Sequence, residues 1–160
     1  MGDNIQNPKK FYDCNLMAPN NMTCYNLWDG QQTSPSINSR PTTKTVYDPC
    51  PPGFCVPTEG VFYYIRDHVD AEHFSWDNDK KGRTLILDEN KTLFFPASGD
   101  IPRGADAAVT NVGTRGFYWS ASQGWGGIYY TQYLFFYSSS KKVDYGPRAC
   151  GFSIRAVAEE

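Results

Sequence analysis

Nine residues near the end of the chain, Tyr129-Tyr130-Thr131-Gln132-Tyr133-Leu134-Phe135-Phe136-Tyr137, constrain the fold more than any other stretch. Six of the nine are aromatic, a class that suits a pleated strand and loses rotamer freedom in a helix. Successive side chains on a strand point to opposite faces. Leu134 and Phe136 therefore share one face, while Tyr129, Thr131, Tyr133, Phe135 and Tyr137 share the other. The even row carries the purely apolar side chains and is the natural core face. The odd row is mostly rings, three of them tipped by a hydroxyl. A strand with one wet side should alternate apolar and polar, so two aromatic faces leave two readings. Either the strand is sandwiched at the centre of the domain, simply because aromatics favour strands, or its odd row is a binding surface.

The flanks favour the surface. Gln123-Gly124-Trp125-Gly126-Gly127 before the run and Ser138-Ser139-Ser140-Lys141-Lys142 after it read as loops, too polar or too glycine-rich to cover a large apolar face. Tyr and Trp give much contact area for few rotatable bonds, and Ser and Gly let a loop adapt, which is the chemistry of paratopes. An exposed aromatic row without a partner would be an aggregation liability. The expected contact residues are Trp125, Tyr129, Tyr130, Tyr133, Phe135, Tyr137, Asp144 and Tyr145, with Lys141 and Lys142 at a polar rim. Trp119 and Ser120 are expected to support the core beneath them.

At 160 residues the whole chain fits one domain. Residues 1–45 are polar and irregular and read as a wrap belonging to that domain, anchored by Phe11, Tyr12, Leu27 and Trp28, with a mobile stretch near 31–40. Residues 46–160 read as the ligand-binding part of it. A net charge of −2 and a pI near 5.7 give no basic footprint for nucleic acid. No apolar run approaches the ~20 residues of a membrane span, and the first residues carry no signal-peptide pattern. Strand character is expected at 44–47, a helix capped by Thr58 at 61–68, a hairpin from 84–87 and 93–95, an irregular loop over 100–112, and a last strand at 151–157 with Phe152, Ile154 and Ala156 on one face.

Chemistry at a conventional site finds little support in the residues. His68 and His73 are five apart, so on a helix they would point in roughly opposite directions, unsuited to a shared metal. Cys50 and Cys55 lack the spacing of a zinc knuckle, and five cysteines leave one over. Asp77, Asp79 and Gly82 partly mimic a calcium loop, but Lys81 stands at a ligand position and the bidentate acid is missing. The plain reading is a solvated acidic turn. No phosphate loop or nucleophile elbow is present. No cofactor, metal or catalytic residue is expected.

Four motifs in order carry a family resemblance: Tyr47-Asp48-Pro49-Cys50-Pro51-Pro52-Gly53-Phe54, Leu93-Phe94-Phe95-Pro96-Ala97-Ser98-Gly99, Gly116-Phe117-Tyr118-Trp119-Ser120-Ala121-Ser122, and the stretch from Arg148 through Glu159. Together they resemble the C-terminal domain of Bacteroidales surface and fimbrillin-type proteins, similar to the Fibrobacter major paralogous domain. The resemblance implies an α+β, C-type-lectin-like fold of antiparallel sheets, one or two short helices and long irregular loops. It also implies display at the bacterial cell surface, with any signal or anchor outside this chain. The implied role is non-catalytic, adhesin-type binding of a host or bacterial surface protein or glycan, as part of a larger surface protein or pilus.

One subset is similar to the variable proteins of diversity-generating retroelements, whose mutable codons vary a binding face. By that resemblance Tyr133, Phe135 and Tyr137 are the varied positions, with Cys150 where Asn is common. The chain departs from the pattern at Ala156 and Cys55, so no disulfide carries over. A structural pilus subunit with the aromatic face as a domain interface is the alternative. A formylglycine-generating type of oxidase, which shares the general fold and uses late cysteines, would have only Cys150 in place.

Overall fold

The structure, a computed structural model, describes residues 28–31, 40–104, 108–125 and 129–159. The expected anchors Phe11, Tyr12 and Leu27, and most of the 31–40 stretch, lie outside the described residues. Chain order is β1 (Phe54–Cys55), α1 (Glu59–His68), β2 (Phe74–Asp77), β3 (Gly82–Asp88), β4 (Lys91–Pro96), β5 (Arg115–Gln123), β6 (Tyr130–Tyr137), β7 (Ser140–Pro147) and β8 (Val157–Ala158). The strands form two antiparallel three-stranded sheets, β2-β3-β4 and β5-β6-β7, and an antiparallel β1-β8 ribbon. This is an α+β domain of small antiparallel sheets with one helix among the described residues.

The core fills the space between α1 and the two larger sheets. Phe62 and Ile65 from α1 meet Phe74, Leu85, Phe95, Tyr118, Leu134 and Phe136. Leu134 and Phe136 are fully buried, as strand parity predicts. Phe136 meets Phe74 edge-on at 5.6 Å and lies nearly parallel to Tyr118 at 5.9 Å. Gly116 is its partner on β5, and a Cβ there would come within 2.2 Å of the ring. The missing side chain is what admits the phenyl group.

Two cations, Arg83 buried and Lys141 partly buried, tie the layers together. The guanidinium of Arg83, on β3, donates to the carbonyls of Tyr137 and Ser138 at 3.0 and 3.2 Å and also to that of Phe74. It thus fastens the tip of the β6–β7 hairpin to the other sheet. Lys141, on β7, donates to the Ile65 carbonyl at 2.6 Å and to that of Val69. Those carbonyls are among the last of α1, where helical geometry leaves acceptors unsatisfied and a positive charge is favoured.

Several local expectations need correction. The helix begins at Glu59, earlier than the 61–68 pattern, and Thr58 occupies the N-cap position without a side-chain cap bond. The Glu59 amide donates to Ser122 Oγ at 3.2 Å instead, because this helix end is buried against β5. The 84–87/93–95 hairpin forms as β3–β4, closed by an Asp88–Lys91 pair after an irregularity at Ile86. Of 44–47, Lys44 alone bridges, to Asp29, before a turn in which the Asp48 amide donates to the Thr45 carbonyl. The expected last strand is broken. Gly151 bridges Ile101, Ser153 bridges Tyr118, and regular pairing occurs only at Val157–Ala158. The polar segment 138–142 is not a loop throughout: Tyr137 pairs with Ser140, so the turn is two residues long and both lysines lie on β7.

Candidate ligand-binding surface

The register of the β5-β6-β7 sheet assigns each expected contact residue to a side. Tyr133 lies opposite Trp119 and Asp144, Phe135 opposite Phe117 and Lys142, and Tyr137 opposite Arg115 and Ser140. Directly opposed residues share a face. The side away from α1 therefore carries Tyr133, Phe135, Tyr137, Lys142 and Asp144 together. Gln132 lies opposite Tyr145 and Leu134 opposite Val143, which sends Tyr130, Lys141 and Tyr145 to the core side. Tyr130 and Tyr145 meet edge-on at 6.0 Å at the end of the sheet away from the 138–139 turn, and Tyr145 remains exposed. Trp125 and Tyr129 flank residues 126–128, which lie outside the described residues. Both are exposed, Trp125 at 65 %. The expected surface is thus distributed over two faces and a connection.

The face away from the helix has a floor that sequence reasoning assigned only in part. Phe117 and Trp119 are buried, and Phe152 lies across them with ring centroids 4.9 and 4.2 Å away. The chain around Ser153 runs parallel to β5: the Trp119 amide donates to the Ser153 carbonyl at 2.9 Å, and the Ser153 amide to that of Phe117 at 3.0 Å. Tyr133 meets Phe152 edge-on at 4.9 Å, and Phe135 tilts against Phe117 at 4.9 Å. Consequently Tyr133 and Phe135 are half-buried, while Tyr137 is exposed at 38 %. The row is a second aromatic layer whose upper edge is open, rather than a set of free rings.

Electrostatics differ along this row. Lys142 holds its ammonium 5.3 Å from the centroid of the Phe135 ring and 2.6 Å from Asp144 Oδ2. Burial, reinforced by the nearby Asp144, Cys150 and Asp100, pushes the Tyr133 phenol up to about 12, so it stays a neutral donor at physiological pH. Arg115 stands at the Tyr137 end of the same face. Lys141, expected at the rim, is not there: β7 alternation turns it inward, where it caps the helix. The signal for that was present, since Lys141 and Lys142 are adjacent on a strand and cannot share a face. Phe152 was harder to find, because its position depends on isolated bridges rather than on a regular strand.

Beneath the connection at Gln123–Trp125 lies a polar seam. The β5–β6 register shifts between Trp119 and Gln123. Ser120 Oγ donates to the Gln132 carbonyl at 2.9 Å, Gln132 Nε2 to the Gln123 carbonyl at 3.2 Å, and Tyr63 Oη to Gln132 Oε1 at 3.2 Å. Ser120, Tyr63 and Gln132 are satisfied in this way, whereas the buried Gln123 side-chain amide has no hydrogen-bond partner among the described residues. Trp119 and Ser120 are buried supports, as expected.

The other candidates separate in space. A concavity of about 1010 Å³ lies between α1, β3 and the β1–β8 ribbon, lined by Val61, Tyr64, His68, His73, Ile86 and Leu87 among others. His73 Nδ1 is 2.8 Å from Asp70 Oδ1, and His68 lies against Tyr64 at 5.3 Å. The Asp77 carboxylate accepts the amides of Asp79 and Lys80, both at 2.9 Å. Cys50 and Cys55 carry free thiols; burial first, then Asp48, pushes that of Cys50 up to about 12, which disfavours the thiolate. Cys14 and Cys24 lie outside the described residues.

No protein-family model, curated protein or solved structure matches this chain.

Proposed function

We propose that this chain is a non-catalytic, adhesin-type binding module of C-type-lectin-like architecture, displayed at a bacterial surface within a larger surface protein or pilus. Its ligand is a surface protein or glycan, held on the face away from α1 with the exposed Trp125 and Tyr129 as further contacts. The observation that carries this reading is the aromatic row Tyr133–Phe135–Tyr137, opposite a closed core and open along one edge. An aromatic layer bordered by the Lys142–Asp144 pair has the apolar centre and polar rim of an interface. The β1–β8 pairing, which brings the last strand beside the start of the domain, and the irregular excursion between β4 and β5 favour the proposed architecture. Diversification of Tyr133, Phe135 and Tyr137 by a retroelement belongs to the same proposal. It would leave a near-copy of the coding 3′ segment, differing mainly at adenines, beside a reverse transcriptase gene.

The test is a glycan and surface-protein array probed with the whole chain and with Trp125→Ser and Tyr137→Ser variants. Capture lost in the variants at an unchanged melting temperature supports the reading. Capture that survives both substitutions refutes it. The half-burial of Tyr133 and Phe135 favours a second reading, in which the row docks on a neighbouring domain of a pilus. Sedimentation of the isolated chain separates them, since that interface would self-associate or require its neighbour for solubility.

A further inference from the structure

We propose that the Phe135 ring and the Asp144 carboxylate form a receptor for an arginine side chain of a partner protein, occupied in the unliganded chain by Lys142 as a displaceable substitute. The inference rests on the reading of this sheet face as a binding surface and names the chemistry it takes.

Register brings the parts together, with Lys142 opposite Phe135 and Asp144 opposite Tyr133 on the same face. The face of an aromatic ring carries partial negative charge and attracts a cation within ~6 Å of its centroid. Here the Lys142 ammonium is 5.3 Å from that centroid while also 2.6 Å from Asp144 Oδ2. Ring and carboxylate thus converge on one position and already accept a cation there. Phe117 and Tyr137 flank the ring at 4.9 and 5.7 Å and fix its orientation.

The resident cation is weakly held. The Lys142 and Asp144 side chains are 53 and 36 % exposed, a setting in which ion pairs contribute little. Arg83 and Lys141 also lie near a ring, that of Phe74 at 5.3 and 5.8 Å, but backbone carbonyls engage them in the interior. A guanidinium can lie flat on Phe135 and direct two parallel N–H groups at Asp144, a combination an ammonium cannot match. The surrounding charges orient the incoming group. Arg115 lies opposite Tyr137 on the same face and repels a cation from the turn end.

The experiment is an amide NMR titration with a short Gly-Ser peptide carrying one central arginine, and with its uncharged citrulline counterpart. The arginine peptide should shift the amides of Tyr133, Phe135, Lys142 and Asp144, and the citrulline peptide should not. Lys142→Ala should tighten binding about fivefold by removing the competitor, and Asp144→Asn should weaken it about tenfold. Lys80→Ala is the control. Lys80 sits 6.0 Å over Phe94 and 3.7 Å from Asp77 on the other sheet, and its loss should change nothing.

Opposite signs for the two substitutions distinguish a receptor from an ordinary structural ion pair, whose halves would act alike. Equal signs, or failure of the arginine peptide to bind at this face, overturn the inference. Array capture that needs Tyr137 but ignores Lys142 and Asp144 overturns it too, while leaving the broader reading intact.

Discussion

Phe136 and Tyr137 are neighbours in sequence, and their truncations should differ several-fold in cost because they occupy opposite faces. Phe136 is fully buried, walled by Phe74, by Tyr118 and by the backbone of Gly116. Phe136→Ala loses the transfer energy of a phenyl group, about 2–3 kcal/mol. A cavity term of about 1–2 kcal/mol is added, since paired strand backbone cannot collapse into the space. The total of about 3–5 kcal/mol should lower the melting temperature by roughly 10 °C in a chain of this length. Tyr137 is 38 % exposed, and Arg83 holds its carbonyl whatever the side chain is. Tyr137→Ala should therefore cost about 1 kcal/mol or less. Thermal and urea unfolding of both variants, followed by near-UV circular dichroism, gives the comparison. Equal losses, or a larger loss at Tyr137, would show that the sheet faces have been assigned backwards, and the proposed binding surface would fall with them.

Three further outcomes are expected. Arg83→Met should destabilise by about 1–3 kcal/mol, because the carbonyls of Phe74, Tyr137 and Ser138 lose their donor in a largely dry site; Arg83→Lys should recover only part of this in urea midpoints, lacking the planar fork. Lys141→Met should speed hydrogen exchange in the last turn of α1 by about fivefold, a loss near 1 kcal/mol from removing the cation at its C-terminus; unchanged exchange would remove that capping role. Burial pushes the Tyr118 and Tyr133 phenols up to about 12, from an ordinary 10. Their neutral forms are favoured in the folded state, so this stability is complete below pH 10 and is lost between about pH 10 and 12. Tyrosinate absorbance should then show late ionisation accompanying unfolding, with a shallower decline for Tyr133→Phe; uniform titration near pH 10 with the fold intact would contradict it.

Strand parity read from 129–137 placed Leu134 and Phe136 in the core and required nothing beyond the two-residue repeat of a strand. The β3–β4 hairpin was equally legible, since the Asp88-Glu89-Asn90-Lys91 turn separates two apolar runs and acts through contacts close in sequence. The start of α1 was less so, because the hydroxyl serving its first amide belongs to Ser122, sixty-three positions away. Lys141 read as solvated rim for the same reason, its acceptors lying on a helix more than seventy residues earlier. Of the ten expected contact residues, Tyr130, Lys141 and Tyr145 face the core side: the turn after β6 is only two residues long, so β7 alternation puts Lys142 and Asp144 beside the rings and Lys141 and Tyr145 behind them.

What the sequence determined by itself is the β3–β4 hairpin and which alternate side chains of β6 enter the core. Both follow from local geometry, the pleat of a strand and the chemistry of its turns. Tertiary structure alone decided how open the other row is, by laying Phe152 over Phe117 and Trp119 and half-covering Tyr133 and Phe135. It alone placed the Lys142 ammonium between a ring and a carboxylate. The physical reason is that burial and charge depend on everything within a few ångströms, and most of those neighbours arrive from distant parts of the chain.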